Sequence, residues 1–248
     1  MDHDDALINL VRQRLRRAPV ASVASLVPDG AFPSPFFGNI FASRVATIGL
    51  NPAGPDVFFR TSSREDASDD ECDAAVRWLR SYFRREGVGP WFSHLQRVLE
   101  AMGFTGYWDA AQNREGDTVH LDLVQEPTTR KWARLTETER EALLATDLPF
   151  LKWTIEAFPL VVVLCDGSTA LDRVRGLLAG TEIDRGTIQR SPHIIFGWDV
   201  LSASVNDRTV AIAGWSPPLN RPTGLTPQDE TALGKRIAET LRARDLSM

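Results

Sequence analysis

Three short stretches carry side chains whose types and spacing could do chemistry together. In Val45-Ala46-Thr47-Ile48-Gly49-Leu50-Asn51-Pro52-Ala53-Gly54 an apolar, β-branched run passes directly into Asn-Pro-Ala-Gly. This reads as a buried parallel strand ending in a tight turn, with Pro52 pushing Asn51 towards an extended conformation and Gly49 and Gly54 letting a ligand approach the backbone. Ligands of α/β sheets sit beyond the carboxyl ends of the strands, so the Asn51 amide is placed to meet one; the alternative is an ordinary strand-ending turn. In Val119-His120-Leu121-Asp122-Leu123-Val124 the alternation has period two, which sends His120 and Asp122 to one face of a second strand. An ionised Asp122 can only accept hydrogen bonds, and it either faces a ligand, caps a turn or pairs with a basic neighbour such as Arg130 or Lys131. His120 is either a site residue or a satisfied core histidine. The third stretch, Gly214-Trp215-Ser216-Pro217-Pro218-Leu219-Asn220-Arg221, ends a late strand in a proline-stiffened loop. Trp215 can donate through its indole N–H but cannot shuttle a proton.

Positioning these groups requires strands that end at a common crevice. The chain opens with a helix over Ala6 to Arg17, with Leu7, Leu10, Val11 and Leu15 on one face and Arg12, Arg14, Arg16 and Arg17 on its solvated side. Pro28 to Phe41 leads to the first strand as a loop. Helical spacing then recurs over Glu71 to Glu86, Trp91 to Met102 and Leu135 to Ala145, and a further helix ends at about Phe158. Leu160 to Cys165 is a fully buried strand, which Asp166-Gly167-Ser168 turns into a helix from Thr169 to Leu178. Ile194 to Phe196 and Val210 to Ala213 are the last strands, and a closing helix runs from Thr226 to Arg242 with Pro227 in its first turn. Alternating strands and helices without repeats predict one α/β domain over residues 1–248. It is a three-layer α/β/α doubly wound domain with a central mostly parallel sheet, a core over about 40–225, and terminal helices packing on it.

Composition narrows the classes of function. A chain of 248 residues, 43% hydrophobic and 25% charged, has the make-up of a globular protein. Its longest apolar run, Phe158 to Cys165, is about a third to a half of a membrane span. The acidic start Met1-Asp2-His3-Asp4-Asp5 is unlike a signal peptide, so a cytoplasmic location without membrane attachment is expected. Cys72 and Cys165 are too few for a disulfide framework or a four-cysteine metal site, and no metal or cofactor is expected. The net charge of −5 argues against a protein that simply coats nucleic acid. The acids, however, crowd into residues 64–73, whereas Arg60, Arg64, Arg130, Lys131, Arg190 and Arg221 lie near candidate loops, which permits a basic groove.

Four strand ends in order resemble the uracil-DNA glycosylase superfamily. Gly49-Leu50-Asn51-Pro52-Ala53-Gly54 resembles its first motif in the Asn-Pro form, and Leu121-Asp122-Leu123-Val124 is similar to the strand that carries its base-reading Asn. Val163 to Ala170 resembles its strand-Gly-helix unit, and Gly214 to Arg221 a variant of its His-Pro-Ser-Pro-Leu motif. The resemblance spans about 40–225 and implies a monomeric enzyme that acts on DNA by flipping a base and hydrolysing its N-glycosidic bond.

Carried onto this chain, the resemblance makes Asn51 the residue that orients the attacking water, and an amide there implies a slow enzyme. Gly49 and Leu50 would border the base, Phe58 or Phe59 would stack on it, and Asp122 would stand where an Asn reads uracil. A carboxylate would repel O4 of uracil and accept from the exocyclic amine of cytosine, which points to a modified cytosine. Trp215 would occupy the place of the leaving-group His, so His120 becomes a catalytic candidate. His193 starts a strand at the end away from the crevice and is expected on the surface or in the core. Ser216, Pro217, Leu219, Asn220 and Arg221 would form a DNA-penetrating loop with Leu219 as its wedge, supported by Ser168 and Lys131. Removal of uracil or another deaminated base, a catalytically weak DNA-binding relative and a hydrolase of free nucleosides or nucleotides remain alternatives.

Overall fold

Every residue of strand β1 (Val45–Gly49) is buried, as are those of two other strands that run parallel to it. Strands covered on both faces read as continuous apolar runs, as the first and third of these do, whereas the second is read from its period-two alternation of His120 and Asp122 with apolar residues. The computed structural model describes residues 3–52, 59–191, 194–219 and 225–246. In chain order the elements are α1 (His3–Arg16), β1 (Val45–Gly49), α2 (Asp69–Arg80), α3 (Tyr82–Glu86), α4 (Pro90–Met102), β2 (Trp108–Asp109), β3 (Arg114–Glu115) and β4 (Thr118–Asp122). There follow α5 (Glu137–Ala157), β5 (Val162–Asp166), α6 (Ser168–Leu178), β6 (Thr181–Ser191), β7 (Ile194–Val205), β8 (Arg208–Ser216) and α7 (Pro227–Ala243).

The main sheet has six strands in the order β4-β1-β5-β8-β7-β6. The first four are mutually parallel, and β7 and β6 extend the sheet by antiparallel pairing. Helices flank this mostly parallel sheet in a three-layer α/β/α arrangement. Among the described residues no helix is long and apolar enough to cross a membrane.

Capping boxes start three of the helices. Ser68 with Glu71, Thr136 with Glu139 and Thr226 with Asp229 each satisfy backbone N–H groups at a helix N-terminus. Helix α4 packs on α7 where Gly234 leaves room for a carbonyl; a Cβ there would sit 2.4 Å from the Val98 oxygen.

Several expectations are corrected. Helix α5 runs unbroken through Pro149, whereas the sequence suggests two helices separated there. Strand β6 is absent from the sequence reading because Thr181–Ser191 is polar and forms the sheet edge, and β7 and β8 extend well beyond the short apolar runs that mark them. The arginines of α1 are not a solvated face. Arg14 is buried, Arg12 donates to Asp73 at 2.7 Å, and Arg16 pairs with Asp69, so two acids of the acidic stretch are paired with α1.

Candidate functional site

Register brings the chemistry-bearing residues together. Gly49 pairs with Asp122 across β1 and β4, Ile48 with Cys165 across β1 and β5, and Asp166 with Trp215 across β5 and β8. Asp122, Gly49, Asp166 and Trp215 therefore form one row across the carboxyl ends of four parallel strands, where ligands of such sheets bind. Gly49 is a gap in this row. A Cβ there would lie 2.5 Å from Asp122 Oδ1 and 3.0 Å from His120 Nε2, so these two atoms occupy the space that any larger residue would fill.

Above the row lies a cavity of about 510 Å³, lined by Gly49, Leu50, Asn51, His120, Asp122, Lys131 and Asp166 among others. Its walls are aromatic. Phe37, Tyr82, Trp91, Phe92 and Trp132 all line it, and Pro52 and Pro218 close it at the turns. Phe37 is held there by a two-way backbone bridge to His120, with N···O distances of 2.8 and 2.9 Å. Trp91 and Phe92 stand edge-on to the His120 ring at 4.9 and 5.1 Å. Burial pushes the Tyr82 phenol up, so it stays neutral.

Asn51 leaves β1 in company with the chain beyond β4, because Leu123 and Val124 donate to the Gly49 and Leu50 carbonyls at 3.1 and 3.0 Å. Its Nδ2 donates to Thr128 Oγ1 at 2.7 Å and to the Pro52 carbonyl at 3.3 Å. The Thr128 hydroxyl in turn donates to the Arg130 carbonyl at 2.7 Å, which determines that the Asn51 nitrogen faces Thr128. Neither bond uses Asn51 Oδ1, which is left to accept from a ligand or a water.

Asp122 and His120 are both buried, with Nε2 of His120 3.5 Å from Oδ1 of Asp122. His120 Nδ1 bonds Thr47 Oγ1 at 2.8 Å, and Thr47 Oγ1 bonds the Tyr107 hydroxyl at 2.6 Å. The expected alternative partner Arg130 is instead paired with Glu139. Lys131 is exposed at the cavity mouth.

Asp166 escapes the sequence reading, which treats it as part of a turn. Its Oδ1 accepts from the Trp215 indole N–H at 2.9 Å and from the Leu219 backbone N–H at 2.8 Å, so one carboxylate organises the whole end of β8. Burial pushes this carboxyl up, against the pull of those two donors. The same burial pushes the Cys165 thiol up, which makes it a poor nucleophile.

Other predicted residues stand elsewhere. Trp215 is buried with its N–H committed to Asp166, and it does not reach the cavity. Leu219 is 3% exposed and packs in the core, so it is not a wedge. Phe59 stacks on Phe32 at 6.0 Å rather than lining the cavity. Ser168 and Ser216 are exposed and Pro217 is half-buried; none of the three lines the cavity. Arg64 is buried against Glu126 and cannot contribute to a groove. Ala53, Gly54, Phe58, His193, Asn220 and Arg221 lie outside the described residues. No protein-family model matches the chain, and no curated protein matches it in sequence.

The residues that sequence reasoning missed are Thr47, Tyr107, Asp166 and the five aromatic rings. Asp166 carries the same signal as Asn51, a polar residue at the end of a buried apolar run followed by a glycine-containing turn. Trp91 and Phe92 open a helix and read as packing residues, since helical spacing does not reveal which face meets a cavity. Among the described residues no group of three or more His, Cys, Asp or Glu side chains could hold a metal ion.

Proposed function

We propose that the chain is a DNA glycosylase that flips a base into the aromatic cavity and hydrolyses its N-glycosidic bond, with a modified cytosine as the favoured base. The observation that carries this reading is the convergence of Asn51, His120 and Asp122 on one floor beneath aromatic walls. A flat heteroaromatic ring suits such walls, and its polar edge suits the floor. The resemblance of four strand ends to the uracil-DNA glycosylase superfamily supports the same reaction.

In this reading Asn51 Oδ1 accepts a hydrogen bond from a water and holds that water against C1′ of the sugar. Asp122 accepts from the amino group of the base. The C1′–N bond breaks with both electrons moving to the base, the water oxygen bonds to C1′, and the water's proton ends on the departing base. Asn51 cannot take up that proton, so the step relies on holding the reactants in place and on stabilising the leaving anion. All of these groups come from one chain, so the site needs no residue from a second copy.

A second reading is favoured by one observation. Lys131 is the only cationic side chain among the described lining residues, beside the two carboxylates Asp122 and Asp166. Such a floor suits a free nucleoside, which needs no groove for phosphates. Uracil also has an N3–H that Asp122 could accept, so the repair reaction stays on the panel. The test is incubation with oligonucleotides carrying uracil, hypoxanthine, cytosine or bulky 5-substituted cytosines, followed by alkali to cleave abasic sites, beside free nucleosides analysed for released base. Cleavage confined to substituted cytosines is expected. Turnover of nucleosides alone would replace the DNA reading, and turnover of uracil alone would replace the choice of base.

A further inference from the structure

We infer that Thr47 and Tyr107 are positioning residues that set the tautomer of His120, and that His120 Nε2–H is the donor to the departing base in place of the absent β8 histidine. This rests on the glycosylase reading above for its substrate but not for its tautomer. Tyr107 is 1% exposed, and its hydroxyl has Thr47 Oγ1 as its sole hydrogen-bond partner among the described residues. A buried phenol whose hydrogen finds no acceptor is strongly disfavoured, so Tyr107 must donate to Thr47. The Thr47 hydroxyl then has its own hydrogen to place, and its other partner is His120 Nδ1 at 2.8 Å. Nδ1 therefore accepts, and the neutral imidazole carries its hydrogen on Nε2. The opposite direction, from Nδ1–H through Thr47 to Tyr107, would leave the phenol hydrogen stranded.

Strand pairing keeps the chain in place. Thr47 and His120 are register partners on β1 and β4, and Tyr107 is clamped by Phe83 and Phe92, with ring centroids 4.4 and 5.2 Å away. Nε2–H is not consumed by Asp122, since 3.5 Å exceeds a hydrogen bond with useful strength. It faces the space over Gly49, next to the acceptor Asp122. A donor beside an acceptor complements the amino and ring-nitrogen edge of cytosine, with Asp122 on N4–H and His120 on N3. As the C1′–N bond breaks, negative charge spreads onto N3, and the Nε2–H bond strengthens there while His120 keeps its proton.

The tautomer is read directly by long-range proton–nitrogen correlation spectra of the full-length protein labelled with 15N-histidine. A bare Nδ1 and a protonated Nε2 are expected for His120 in the unmodified protein, and Thr47→Val and Tyr107→Phe should each convert this to a mixture. On the oligonucleotide that the unmodified protein cleaves best, both variants should lose about tenfold in kcat with KM unchanged. Thr47→Ser, which keeps the hydroxyl, should restore both spectrum and rate. A protonated Nδ1 in the unmodified protein would overturn the chain. Full kcat in Thr47→Val with a mixed tautomer would overturn its role. If no base is released from any oligonucleotide, the glycosylase reading and the donor role fail together, while the spectrum still decides the tautomer.

Discussion

Two buried polar clusters hang on the same stretch of chain, and they differ in whether they are closed. On one side, Arg14 donates to Gln125 Oε1 at 2.8 Å, to Glu126 at 3.2 Å and to Asp147, while Arg64 donates to Glu126 at 3.0 Å and to the Ala31 carbonyl. Asp147 also accepts from the Gln125 and Glu126 backbone at 2.7 and 3.2 Å. Two cations face two anions, all buried, and none of the four lines the cavity. On the other side, the chain from Tyr107 through Thr47 to His120 and Asp122 is equally buried but ends at the cavity. The first cluster pairs its charges among themselves, with Gln125 Nε2 as its one side-chain group left without a partner among the described residues; the second keeps a donor and an acceptor that face the cavity. Buried polarity is thus a sign of function only when the network stays open at one end.

That contrast can be broken by experiment. The largest effect is expected at the closed cluster. Arg14→Met leaves Glu126 and Asp147 short of a cation and should cost about 3–5 kcal/mol in urea unfolding, as breaking a buried pair does. A loss below about 1 kcal/mol would mean that Arg64 alone carries the cluster. At the open cluster, Asp122→Asn should leave stability nearly unchanged and shift preference from cytosine derivatives towards uracil by about 1–3 kcal/mol, because the amide supplies a donor for O4. Competition between the two oligonucleotides measures this, and an unchanged ratio would remove Asp122 from base reading. Asn51→Ala should fold normally and slow base release at least about tenfold, and an unaltered single-turnover rate would exclude it from the reaction.

The smallest effect separates the carboxylate Asp166 at the cavity from the closed cluster by pH. Burial raises the carboxyls of both Asp166 and Asp147, the latter against the pull of Arg14. For an acid raised by folding, the native state holds more protons than the unfolded one, so stability falls as pH rises from the ordinary aspartate range to the folded pKa, and is unaffected below that range. Asp166→Asn should flatten part of this decline in thermal melts recorded across that window. An identical slope would assign the decline to Asp147 and its neighbours.

Much of the parallel half of the molecule is legible in the sequence. The buried strands β1 and β5 declare themselves as apolar runs and β4 by its alternation, and the polar residues at their ends, Asn51 and Asp122, declare the crevice. The antiparallel half is less legible. An exposed edge strand such as β6 has no hydrophobic face to alternate, and only its pairing to β7 makes it a strand. Register is equally silent, so the meeting of Thr47 with His120 and of Gly49 with Asp122 cannot be read from either segment alone. The wedge assigned to Leu219 fails because Asp166, one strand away, captures its backbone and turns the side chain inward. Loop residues take their direction from partners that the local sequence does not contain.

Strand β1 sits between β4 and β5, both of which follow it in the chain by many residues. A polypeptide emerging from the ribosome therefore carries the Asn51 turn long before anything exists to pair with it. Arg14 likewise waits for Asp147, 133 positions later. Loop closure over such spans precedes the contacts that reward it, so assembly of this half is slow and late. Chains released before β4 is made would expose an unpaired apolar strand and a solitary guanidinium, and would lack His120 and Asp122 from the cavity floor. The cavity comes into being only when most of the protein has been translated.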